Sequence, residues 1–197
     1  MLKFNHIVFV SLIFNVWGIA QPLNSTDSIS TVSGLIFEKE MDYRLPDSTY
    51  SDIIQLLNLS EKAQAMQFRL LLNKAPDDSA FLIFKDIQKG SDLNDPGWLL
   101  DFNIIKGPIL QNGASLDEIF VVLYNLNQNG GLLPGDYQNL FTVNYAIPEL
   151  PGLTRDIKSS IKISHAEAST FQGFAIDIKP TRDEFKVYVK KNSQNVN

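Results

Sequence analysis

Apolar residues recur at every second position along most of this chain, the spacing at which side chains alternate across a β-strand. The alternation is clean in Met66, Phe68, Leu70 and Leu72, with Gln67, Arg69 and Asn73 in the other phase. Phe81, Ile83 and Ile87 continue it, and Trp98, Leu100, Phe102 and Ile104 interleave with Asp101 and Asn103. The run IFVVLY at 119–124 is almost wholly apolar, which predicts a strand buried on both faces. Further strands are predicted at 53–57, 140–145, 161–166, 174–178 and 185–189.

Residues that favour turns separate these segments. They include Leu45-Pro46-Asp47-Ser48, Ala75-Pro76-Asp77-Asp78, Asn94-Asp95-Pro96-Gly97, Asn112-Gly113, Asn129-Gly130-Gly131 and Leu133-Pro134-Gly135-Asp136. About nine short strands so punctuated predict an all-β fold, an Ig-like or jelly-roll β-sandwich, and not alternating α/β units. No segment keeps a helical period over three turns. The best helical candidate is a short piece, or only a turn, at 60–65, opened by Ser60 with its capping hydroxyl.

The chain begins MLKFNHIVFVSLIFNVWGIA, one Lys ahead of an apolar core and small residues at Gly18 and Ala20. That pattern predicts a secretory signal peptide at 1–20, cleaved near Ala20, and it is short for a membrane span. A polar linker at 21–31, a sandwich domain at 32–180, and a C-terminal strand and tail at 181–197 complete the expected organisation. The tail KKNSQNVN leaves two readings open, a loose natural end or a link to further chain. Export to the extracellular space or cell surface with no cysteine at all excludes disulfide support, so the domain must rely on its core, which the 44% hydrophobic content allows. This combination is commoner in bacterial exports. With 17 Lys and Arg against 22 Asp and Glu, and no basic run, nucleic acid and anionic membranes are excluded as expected partners. No membrane insertion is expected after leader cleavage.

Candidate catalytic chemistry is sparse. Nucleophilic catalysis needs a base near its nucleophile, and His165 is the one histidine outside the leader. It is expected on the face shared by Ile161 and Ile163 as a partly buried or edge residue. Transition-metal sites draw on several His and Cys, which this chain lacks. Calcium takes oxygen donors, and Asp92, Asn94 and Asp95 cluster three of them in one loop, although a plain Asx/Pro turn explains the same residues. No motif selects a pair of carboxylates for glycoside hydrolysis. Hence no enzyme and no cofactor are expected, calcium apart. Aromatic faces that could stack on sugar are Trp98, Tyr124 and Tyr137, each with core or rim packing as the competing reading.

Residues 47–178 resemble the cohesin family, the receptor modules of cellulosomes and related cell-surface assemblies. Asp47-Ser48-Thr49 leading into IIQLL is similar to that family's Gly-Asp-Thr opening and first long strand. FRLLLN, FLIFKDIQKG, WLLDFNI with EIFVVLYNLNQNGG, LPGD into NLFTVNYAI, and SSIKISHAEAS with FAIDI then follow in the family's order. The resemblance implies a cohesin-like sandwich and a non-catalytic role in protein–protein interaction. Family members bind a dockerin on one sheet face, partly through an Asn-x-Asp pair ahead of an aromatic. The matching positions here are Ala65 and Gln67, and the contact residues expected with them are Arg69 and Leu71, on strand faces also bearing Leu99. The expected partner is an extracellular protein module. The alternatives are a polysaccharide ligand, which needs exposed coplanar aromatics, and a spacer role within a longer surface protein.

Overall fold

The computed structural model describes residues 33–73 and 80–190. The predicted leader at 1–20, the linker at 21–31, the turn at 75–78 and the tail from 191 lie outside the described residues. Twelve strands follow one another: β1 (Ser33–Phe37), β2 (Met41–Tyr43), β3 (Ser48–Leu57), β4 (Ala65–Leu72), β5 (Ile83–Lys89), β6 (Trp98–Ile105), β7 (Glu118–Asn125), β8 (Gln138–Ile147), β9 (Ile157–Ser169), β10 (Ala175–Ile176), β11 (Ile178–Arg182) and β12 (Glu184–Val189). Eight of the nine sequence-predicted strands each fall on one of these, while the one expected at 174–178 is split at Asp177 between β10, which pairs β9, and β11, which pairs β1 of the other sheet. Among the described residues there is no helix. Residues 60–64 instead run as an irregular, bent connection into β4, tied to the 132–135 segment through bridges Leu59–Gly135 and Ala63–Leu132.

The strands form two sheets, ordered β11-β1-β3-β8-β5 and β2-β12-β9-β4-β7-β6, with β10 pairing β9 at the side of the second. Pairing is antiparallel except β1 with β11 and β12 with β2. The sandwich passes the boundary expected at 180, because β12 lies between β2 and β9 and buries Phe185, Val187 and Val189.

Period-two sequences produce this layering because alternate residues of each strand reach the space between the sheets. Met66, Phe68, Leu70 and Leu72 of β4 are all buried there. They meet Phe141, Val143 and Tyr145 of β8 in one core, with Phe68 and Phe141 rings 5.2 Å apart. Phe37 and Phe185, 5.7 Å apart, close the same core farther along. The run 119–124 departs from its expected two-sided burial. Ile119, Val121 and Leu123 are buried, whereas Phe120, Val122 and Tyr124 are only half-covered, since β7 has a sheet on one side alone.

Strand β9 contains the irregularity that matters most for the outer surface. Arg69 pairs with His165 but Leu70 pairs with Ile163, so Ser164 is an extra residue, a β-bulge. Side-chain phase reverses there. Ile161 and Ile163 point inward as expected, while His165 turns to the outer face and Ala168 takes over inside. The expectation that His165 shares a face with the two isoleucines is therefore corrected by a single inserted residue.

Candidate functional site

The register of β9, β4, β7 and β6 arranges their outer residues in rows across the second sheet. One row is Ser169, Ala65, Tyr124 and Leu99, and the next is Glu167, Gln67, Val122 and Asp101. The third is His165, Arg69, Phe120 and Asn103, and the fourth Lys162, Leu71, Glu118 and Ile105. Ala65, Gln67, Arg69 and Leu71, read from sequence as one strand face, thus lie on an inner strand of a four-strand surface with Tyr124 beside Ala65. Antiparallel partners sit about 5 Å apart, so these side chains form one continuous layer.

Local chemistry fixes that layer. Arg69 Nε lies 3.1 Å from a Glu118 carboxylate oxygen, and its guanidinium carbon is 4.5 Å from the centre of the Phe120 ring. The ring covers the apolar plane of the guanidinium while the carboxylate takes a donor at its edge. His165 Nε2 lies 2.9 Å from Glu167 Oε1, a contact that becomes an ion pair when the imidazole is protonated. Leu99 at 40% and Ile105 at 51% exposure leave two apolar side chains on the β6 border of the surface. Phe120 and Val122 were not foreseen as surface residues. The signal was present, because Ile119, Val121 and Leu123 already fill the opposite phase.

The other aromatics do not extend this surface. Trp98 is 2% exposed and belongs to the core. Tyr137 is 62% exposed with a φ of 54°, in the loop ahead of β8 of the first sheet, whereas Tyr124 lies on β7 of the second. With Trp98 inside, the three cannot form the coplanar platform that sugar stacking requires.

In the candidate calcium loop, Asp92 Oδ2 accepts the Asn139 N–H at 2.7 Å. Asp95 Oδ1 accepts the Gly97 N–H at 2.7 Å and the Asn127 amide at 2.9 Å, and these bonds, the backbone one foremost, hold its carboxyl below the usual range. Leu93 between them is fully buried, while Asn94 faces solvent. Among the described residues no three His, Cys, Asp or Glu side chains converge as a metal cluster. An open hollow of about 560 Å³ borders the Ala65 end of the outer surface, lined by Lys62, Gln64, Asn129 and Phe171 among others. Glu61 is its one carboxylate, so it does not present the facing pair of a glycosidase.

No family model and no curated protein matches the sequence. Solved structures do match the fold. The cohesin of a type I cohesin–dockerin complex from Clostridium thermocellum aligns with a TM-score of 0.60 at 18% identity, over 85% of this chain and 99% of that one. The sixth cohesin of scaffoldin B from Acetivibrio cellulolyticus, solved with a Cel5 dockerin, gives 0.56 at 16%, over 81% and 99%. The seventh ScaB type I cohesin from Pseudobacteroides cellulosolvens gives 0.57 at 10%, over 84% and 97%. Since the two-sheet arrangement spans nearly the whole of each such module, the chain folds as a cohesin-like β-sandwich.

Proposed function

We propose that this protein is an extracellular, non-catalytic docking module that receives a partner protein on the outer face of β9, β4, β7 and β6. The observation that carries the reading is the row arrangement. It brings Ala65, Val122, Tyr124, Leu71 and Leu99 onto one surface as apolar contact area and interleaves them with Arg69, Glu118, Glu167 and Asp101. Such a surface, in which apolar side chains alternate with an arginine and several carboxylates, has the mixed composition of a protein interface. Structures of the same fold from Clostridium thermocellum and Acetivibrio cellulolyticus were solved with bound dockerins, which supports a folded protein module as the partner class. Ala65 and Gln67 in place of the Asn-x-Asp pair indicate a partner read by apolar packing and by Arg69, not by that polar pair. Support for a non-catalytic role comes from His165, the one histidine among the described residues, whose half-buried ring pairs with the Glu167 carboxylate and with no nucleophile at that contact. The leader-like first twenty residues support export.

The test is affinity capture of extracellular proteins from the producing cells, comparing the natural protein with Leu71→Glu, Tyr124→Ala and, on the first sheet, Lys85→Glu. A partner retained by the natural protein and by Lys85→Glu, and lost by at least tenfold in affinity with Leu71→Glu, is the expected result. Equal binding by all variants, or binding of insoluble polysaccharide in place of any protein, would sink the reading.

A further inference from the structure

The two sheets end in five edge strands, and four of them, the two-residue β10 included, are blunted against further pairing. β2 has three residues, β11 contains Pro180, and β5 is bulged between Phe84 and Asp86 and carries Lys85, Asp86 and Lys89. These are the ordinary devices that keep edges from adding strands. β6 has none of them. It runs eight residues without a proline or a bulge, and Asp101 is its one charge.

Its unpaired backbone groups can be placed. The Leu126 N–H donates to the Gly97 carbonyl at 3.0 Å, which fixes the phase of the β6–β7 ladder. By alternation, Leu99, Asp101, Asn103 and Ile105 direct their N–H and C=O groups to β7, and Leu100, Phe102 and Ile104 direct theirs outward. At the Trp98 end the edge is closed, because the Trp98 N–H donates to Asp95 and its carbonyl accepts from Lys89 Nζ at 3.2 Å. The Phe102 N–H is occupied by the adjacent Asp101 carboxylate at 2.9 Å. Among the described residues the open segment is therefore Leu100 to Ile104, in which Leu100, Phe102 and Ile104 are half-buried against the core while Asp101 and Asn103 are exposed.

We infer that this edge is a self-association surface, on which a second copy of the chain adds its own β6 antiparallel about a two-fold axis at Phe102. In that register the bonded pairs are Leu100 with Ile104 of the second copy, Phe102 with its own equivalent, and Ile104 with Leu100. The closer, non-bonded pairs then set Asp101 opposite Asn103 of the second copy and Leu99 opposite Ile105, each occurring twice by symmetry. Asp101 gives up the Phe102 N–H, which passes to the facing carbonyl, and accepts the Asn103 amide in exchange. Leu99 and Ile105, both exposed in the single chain, cover each other. Neighbouring registers lose this match. Centring on Asp101 opposes two carboxylates, centring on Leu100 sets Leu99 against Asp101, and centring on Asn103 sets Asp101 against Ile105. Joining the two second sheets also brings two outer faces side by side, so the dimer would present paired docking surfaces; the dimer itself does not depend on the docking proposal.

The experiment is analytical ultracentrifugation of the intact protein between about 1 and 200 µM, the range in which a small polar-rimmed contact reveals itself. A concentration-dependent dimer is expected. Asn103→Asp places carboxylates opposite one another at both symmetric positions and should weaken the dimer about tenfold, while Asp101→Lys combined with Asn103→Asp should restore it through two opposite-charge pairs. A protein that stays monomeric across the range overturns the inference. So does a dimer indifferent to Asn103→Asp, not rescued by the double substitution, or broken instead by Leu71→Glu, which would place the contact on the outer face.

Discussion

Asn73, the residue directly after β4, carries a cluster of buried hydrogen bonds whose removal can be given a magnitude. Its Nδ2 donates to the carbonyls of Leu82 and Ser115, both at 2.8 Å, and its Oδ1 accepts the Leu82 N–H at 3.0 Å and the Ser159 hydroxyl. One side chain thereby ties the end of β4 to the approach to β5, to the β6–β7 connection and to β9, itself a strand of the proposed docking face. Asn73 is 3% exposed, and Leu82, Ser115 and Ser159 are buried as well. Its φ of 57° lies in the left-handed region, which asparagine tolerates better than alanine does. Asn73→Ala removes all these bonds and strands their partners away from water. At about 1 kcal/mol for each bond, with about 1 kcal/mol more for alanine at positive φ, the expected loss is about 5 kcal/mol. With a urea dependence of about 2 kcal/mol/M for a domain of this size, the midpoint falls by about 2.5 M. Urea titration followed by the fluorescence of buried Trp98 measures it. A loss below about 1 kcal/mol would refute the view that these bonds act as a structural tie, since that is the value of a single ordinary bond.

Two other substitutions probe the interior. Asp52 is buried beside Tyr145, whose hydroxyl donates at 2.7 Å, and Arg44, whose Nη2 donates at 2.9 Å. Burial pushes its carboxyl above the ordinary 3.8 in spite of both donors. A raised folded value means that this group contributes stability in full below 3.8 and loses it as pH rises through the folded value. Compared with Asp52→Asn, the natural protein should therefore gain in relative stability as the pH is taken from 7 towards 3 in parallel urea titrations, and a flat or opposite trend counts against the assignment. Gly90 follows β5 so closely against β8 that a Cβ would stand 2.1 Å from the Asn139 carbonyl oxygen. Because the obstacle is backbone, Gly90→Ala should lower stability by about 2 kcal/mol or more, read as a fall in thermal midpoint, and an unchanged midpoint would show that the two strands separate freely.

Within an uninterrupted strand the sequence alone determined which side chains point inward, because the period of two is a property of extended backbone. That is why Met66, Phe68, Leu70 and Leu72 could be assigned to the core, and why Ala65, Gln67, Arg69 and Leu71 could be grouped on one face, whereas the burial of Trp98 was decided only by the sheet opposite it. Turn residues likewise revealed where strands stop. Tertiary structure decided whatever depends on pairing between distant segments. The burial of β1 rests on its parallel partner β11 and on β3, and no local pattern in SGLIF announces the former. His165 was placed by its ladder with β4, whose register counts Ser164 as extra, a comparison between strands almost a hundred residues apart. The site itself is of the same kind: four strands each contribute alternate residues, and only their relative register turns four stripes into one surface.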